Sequence, residues 1–256
     1  MLQKGKLDNI KQEIDRMKIS ILGVSEVRWK GAGNIVSEKI QFIFSGGSDH
    51  ERGVGVILDQ KVSKALNRYW QISDWVLLVK IAGKPMDINI IQVYAPTSAS
   101  SNEDLEKFYE ELEQAKSNCK NDEPTFIMGD FNAKVGERGE EKSVGQHGLG
   151  IRNERGEHLV EWCERNDLLI ANTCFKQPPR RKWTWKKPGD DTKKPDRLYF
   201  GERSFHKCSF ISKKLSWSRL LLRPCSCHSG GSGTAEIEKD KDTTWEHQIE
   251  YWPTQI

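Results

Sequence analysis

The 256-residue chain has no apolar run approaching the roughly 18 residues needed to span a bilayer, so no membrane helix is expected. A secretory pattern is also missing, since the amino end is polar and helical in periodicity. With scattered cysteines, that reads as an intracellular, reduced protein. There are six cysteines, at Cys119, Cys163, Cys174, Cys208, Cys225 and Cys227. Cys225 and Cys227 with His228 could suggest zinc, but the fourth ligand would have to be Cys208 or His206, at no usual zinc spacing. An excess of charge is lacking too: 40 Lys and Arg face 37 Asp and Glu, for a net +3. A polyanion partner therefore has to be argued from local clusters, not from bulk charge. No internal repeat is visible. Hydrophobic residues make up 36% and charged residues 30%. The first value is low against the roughly 45–50% of ordinary domains, and implies a wet surface or a disordered piece. The length suits one large domain with a two-layer core.

What is present alternates strands with helices. Leu7, Ile10, Ile14 and Met17 recur at helical spacing and predict an amphipathic helix. Ile19 to Val24 reads as a buried strand that ends at Ser25-Glu26. A carboxylate there is either a solvated strand end or a metal ligand, and burial statistics alone favour the first. Gly31 to Gly33 and Ser45 to Asp49 read as loops, and Asn67 to Asp74 as a turn. Gly53 to Leu58, Trp75 to Ile81 and Met86 to Val93 are strands rich in β-branched residues. Ser100 with Glu103 forms a capping-box pattern. It opens a helix with Leu105, Phe108, Leu112 and Ala115 inward and a solvated, Glu-rich outer face. Asn153 to Asn166 is a second amphipathic helix, in which Cys163 reads as a small core residue. Leu168 to Ala171 and Arg181 to Trp185 are short strands.

The stretch from Pro124 to Gly136 organises the rest. Thr125 to Met128 is a short apolar run leading through Gly129 into Asp130 and Asn132. If extended geometry persists, both polar side chains project to one face. A carboxylate can orient a nucleophile or hold a hard cation, and an amide can donate to a phosphate oxygen. The plainer alternative is a loop in which both only satisfy turn backbone. Further on, Lys176 to Lys187 holds six basic residues and no acid. Arg180, Arg181, Lys182, Lys186 and Lys187 could contact phosphates while Trp185 packs on a sugar or base. The alternative is a solvated edge strand protected by its charge.

Gly129-Asp130-Phe131-Asn132 resembles the G-D-[FW]-N motif of the exonuclease–endonuclease–phosphatase superfamily. Ile91-Gln92-Val93-Tyr94-Ala95-Pro96-Thr97 and Ile21-Leu22-Gly23-Val24-Ser25-Glu26-Val27-Arg28-Trp29 narrow the likeness. Together they resemble the apurinic-type endonuclease domain of LINE retrotransposons, in particular the retroelement-derived craniofacial development protein 2 group. The similarity runs from about Lys6 to about Pro188. It implies an α+β fold of four layers, an α/β/β/α (DNase I-like) sandwich incomplete at both ends. It implies a Mg²⁺-dependent (or Mn²⁺-dependent) DNA endonuclease, acting as a monomer and located in the nucleus. Glu26 would hold the metal, Asp130 would orient or deprotonate water, Asn132 would bond the phosphate, and Tyr94 would donate to a phosphate oxygen. Oxygen ligands with no His or Cys cluster agree with magnesium over zinc.

Three pieces of the family pattern depart. The chain starts directly before the first helix, so an expected strand with its Asn is absent. The nearest match to a later catalytic Asp is Asp196, in a changed context and one residue early. A terminal Ser-Asp-His is replaced by Ser226-Cys227-His228. Residues 201–256 lose sustained periodicity, as a reading-frame change or alternative exon would produce, and are expected to form a disordered tail beyond a 1–200 domain. Impaired cleavage is therefore expected. The alternatives are an inactive nucleic-acid or protein-binding module, or a phosphatase acting on inositol phosphates or lipids.

Overall fold

A computed structural model describes residues 5–137 and 141–176, with the backbone of 211–213. Two sheets pack face to face with helices outside, as the fold class expected. Sheet A has the order β1-β4-β3-β2, all antiparallel: β1 (Ile21–Ser25), β2 (Ala32–Val36), β3 (Ile40–Ser45) and β4 (Val54–Asp59). Helix α1 (Lys6–Met17) covers its outer face, with Ile10 and Ile14 packed among Leu22, Phe42 and Ile57. The period of two explains the division. Ile57 joins that outer layer, while Val56 and Leu58 belong to the core between the sheets.

A short helix, α2 (Gln60–Ser63), precedes sheet B, whose order is β5-β6-β7-β8-β10-β9. Its strands are β5 (Leu66–Gln71), β6 (Val76–Ile81), β7 (Ile88–Tyr94), β8 (Thr125–Asp130), β9 (Leu168–Ile170) and β10 (Ile211–Lys213). All six residues of β6 are buried, as befits a strand covered on both faces. Strands β7 and β8 run parallel, joined by the crossover helix α3 (Asn102–Ser117). Helix α4 (Glu154–Arg165) shares the outer layer with α3, and both contribute to the core that includes Ile91 and Ile127.

Several local readings change. Asn67 to Asp74 is not a turn: Leu66–Gln71 forms an edge strand, half polar because one face is exposed. Gly33 lies in β2, where Gly33 and Asn34 obscured the strand pattern; Ile35 and Val36 stay exposed. The α3 cap is Ser101, whose Oγ accepts from Asp104 N–H at 3.1 Å, because Ser100 is held in the preceding turn by Thr97. The Glu face of α3 does more than meet water. Glu113 accepts from Trp162 Nε1 at 2.6 Å and ties α3 to α4, and Glu111 accepts from Ser73 Oγ at 2.6 Å. Cys163 is fully buried, as a core residue should be, and burial pushes its thiol pKa up. Ile211–Lys213 pairs between β8 and β9, inside the stretch read as tail. The expected strand at Arg181 to Trp185 and the boundary at residue 200 lie outside the described residues.

Candidate active site

The site forms between the two sheets, at the carboxyl ends of β7 and β8. Tyr94 and Asp130 are register partners, with Gln92 and Met128 one step below them. All four therefore share one face of sheet B. That face meets sheet A at β1: a Cβ built on Gly23 would lie 2.0 Å from Gln92 Oε1 and 3.0 Å from Met128 Cε. Glu26, immediately after β1, is thereby carried to the Tyr94 hydroxyl. Tyr94 donates to Glu26 Oε1 at 3.1 Å, joining two residues 68 positions apart.

The backbone around these side chains is specialised. Glu26 and Arg28 both have positive φ, 55° and 59°, which turns the chain sharply at the end of β1. The turn is held by Val27 N–H to Gly53 O at 2.9 Å and Arg28 N–H to Arg52 O at 2.7 Å. Arg28 Nη2 then donates to Glu26 Oε2 at 2.8 Å, so each oxygen of Glu26 has a donor. Arg28 was not singled out from the sequence; its place two residues from a candidate ligand, with an intervening buried Val27, was the available signal.

On the other strand, Gly129 has φ 139° and no room for a side chain, since a Cβ would meet Val93 O at 2.0 Å. Extended geometry continues to Asp130 and stops. Asn132 has φ 48° and does not repeat the Asp130 orientation by simple alternation, contrary to the two-residue extrapolation. Its backbone N–H instead donates to Asp130 Oδ1 at 3.0 Å, and its amide Nδ2 donates to Ala95 O at 2.7 Å. Ala95 N–H in turn donates to Asp130 O at 2.7 Å. The motif thus satisfies its own turn and also presents a nearly buried carboxylate beside Tyr94; Tyr94 and Asp130 are each 9% exposed. Burial first, then the Glu26 carboxylate and its hydrogen bond, and then Asp130 push the Tyr94 hydroxyl well above its ordinary value. It stays protonated and acts as a donor.

The structure brings Glu26, Tyr94, Asp130 and Asn132 to one place. Asp196, Arg180, Arg181, Lys182, Trp185, Lys186 and Ser226-Cys227-His228 lie outside the described residues. Among the described residues no group of three or more His, Cys, Asp or Glu could hold a metal ion. No described helix is long and apolar enough to cross a membrane.

Comparison with known proteins places this geometry. Residues 88–192, which carry Tyr94, Asp130 and Asn132, match the family described as endonuclease-reverse transcriptase. Craniofacial development protein 2 of Bos taurus is 39% identical over 188 residues, covering 73% of this chain and 32% of the relative. The chain thus spans about a third of that relative's length. An AP endonuclease from Archaeoglobus fulgidus shares the fold at 14% identity and a TM-score of 0.55, with 82% of each chain covered. The AP endonuclease LMAP from Leishmania major does so at 12% identity and 0.55, covering 82% of this chain and 74% of its own. The matched motifs and the two-sheet sandwich agree: the chain resembles the exonuclease–endonuclease–phosphatase superfamily in sequence over residues 88–192 and in fold across both sheets.

Proposed function

We propose that the chain hydrolyses phosphodiester bonds in DNA as a divalent-cation-dependent endonuclease of the apurinic or LINE type. The observation that carries this reading is the Tyr94–Glu26 hydrogen bond across the two sheets, with Asp130 in register beside Tyr94. The groups present are oxygens, the chemistry a hard cation takes: the Glu26 carboxylate is bonded to the Tyr94 hydroxyl, and the Asp130 charge acts on that hydroxyl. Magnesium suits so few protein ligands, because it keeps several waters and takes substrate phosphate oxygens as well. Glu26 would hold it, and when bound it would neutralise a non-bridging oxygen and the leaving oxygen.

The chain's own groups supply the rest. Asp130, fixed by the Asn132 N–H, takes a proton from the water that attacks phosphorus. Tyr94 keeps its proton and donates to a phosphate oxygen as charge builds there. Asn132 Nδ2 donates to Ala95 O and so holds the Asp130 loop against the end of β7, and its amide would also donate to the phosphate. The AP endonucleases among the structural relatives support DNA as the substrate. The basic stretch Arg180, Arg181, Lys182, Trp185 and Lys186 is proposed to bind its backbone.

A second reading, a binding module without catalysis, is favoured by one observation: the Arg28 guanidinium already occupies Glu26 Oε2. Nicking of supercoiled plasmid and of an abasic-site duplex with Mg²⁺ separates the two. The nuclease reading expects Mg²⁺-dependent cleavage by the parent and a loss of about 10²–10⁴-fold in Glu26→Ala and Asp130→Ala. A folded parent that cuts neither substrate contradicts it and leaves the binding module.

A further inference from the structure

Behind the site, Gln92 is 1% exposed, yet it is the one carboxamide set between the sheets at the Gly23–Met128 contact. Its Nε2 donates to Ser25 Oγ at 3.1 Å and lies 3.3 Å from Val93 O. Ser25 Oγ donates to Val93 O at 3.1 Å. Among the described residues, Gln92 Oε1 has no hydrogen-bond partner. A buried acceptor left unsatisfied destabilises the fold, and a leucine would fill this space without that penalty. Gly23 adds to the oddity, because any side chain there would collide with the Gln92 amide. The arrangement needs a reason other than packing.

Position supplies one. Ser25 directly precedes Glu26, and Gln92 lies two residues before Tyr94 on the same face of β7. The Gln92–Ser25 bond therefore pins the last residue of β1 to the strand that carries Tyr94, at the point where the chain turns into Glu26. We propose that Gln92, acting through Ser25, is a positioning residue that sets the Glu26 carboxylate for its cation. This rests on the reading of Glu26 as the cation-holding carboxylate. Groups that orient a metal ligand commonly change metal affinity by about 10–100-fold when removed.

The test uses the whole chain, with Mn²⁺ binding measured calorimetrically and thermal unfolding measured alongside. Gln92→Leu is expected to melt at or above the parent, having lost an unsatisfied acceptor, while binding Mn²⁺ about tenfold more weakly. A residue of purely structural importance would not separate the two readouts in that way. Ser25→Ala should weaken Mn²⁺ similarly and Ser25→Thr should restore it, which keeps the question answerable if Gln92→Leu does not fold. Parent-like Mn²⁺ affinity in Gln92→Leu and Ser25→Ala, with Glu26→Gln binding poorly, overturns the positioning role alone. Unchanged affinity in Glu26→Gln overturns the cation reading of Glu26, and the role of Gln92 with it.

Discussion

Strands β7 and β8 have buried or half-buried charge at each end, and the two ends handle it differently. At the amino end Glu123 is 4% exposed and accepts from Lys80 Nζ at 2.8 Å and Asn89 Nδ2 at 2.9 Å, with Lys120 N–H at 3.2 Å. Lys80 is itself buried, so the pair is closed off from water. Burial alone would raise the Glu123 carboxyl, but the hydrogen bonds from Lys80 and Asn89 hold it below its ordinary value. At the carboxyl end, the cation on Glu26 is Arg28, whose side chain is 40% exposed and can yield its place to another cation. The Tyr94 hydroxyl is bonded to Glu26 and feels the charge of Asp130. One end uses charge to lock the strands together; the other leaves the Glu26 carboxylate partly exposed.

That contrast can be broken from either side. The largest stability effect is expected at the amino end. Glu123→Ala strands a buried lysine and should cost about 3–5 kcal/mol in urea unfolding. Replacing both partners, Lys80→Met with Glu123→Leu, should leave stability within about 1–2 kcal/mol of the parent, since an apolar pair has no uncompensated charge. The same double variant sharpens the pH dependence. A carboxyl whose folded pKa is depressed stabilises the fold fully above its unfolded value of about 4.3. That contribution disappears as pH falls through the lower folded value, so urea midpoints of the parent should drop below pH ~4. The double variant should lose that part of the drop. Arg28→Ala tests the other end and is the smallest effect. Removing a half-exposed competitor should lower the Mg²⁺ concentration for half-maximal nicking by about two- to fivefold. A raised Mg²⁺ requirement would instead make Arg28 part of the binding apparatus.

The sequence showed the strand-rich core clearly where apolar residues ran together, as in Val76–Ile81, and the helices where Leu105, Phe108 and Leu112 recurred. It hid the edges. Strand β2 carries Gly33 and Asn34, β5 carries Asn67 and Arg68, and an edge strand with one wet face leaves a weak pattern. At the site, the motif strings marked Glu26, Tyr94, Asp130 and Asn132, because each stands at the end of a readable strand or just past it. What they could not reveal was orientation. The positive φ at Glu26 and Asn132, the Tyr94–Glu26 bond and the Gln92–Ser25 bond depend on how sheet A sits on sheet B. That packing is decided by residues far apart in the chain.

In the proposed nuclease the Tyr94 hydroxyl, and not merely its ring, belongs to the catalytic group. The most direct measurement is the single-turnover rate of cleavage of an abasic-site duplex by Tyr94→Phe beside the parent, both checked for equal melting. Removing one preorganised donor to a developing charge should slow cleavage about 10²–10³-fold while leaving the fold intact. A Tyr94→Phe variant that cuts as fast as the parent would contradict the account.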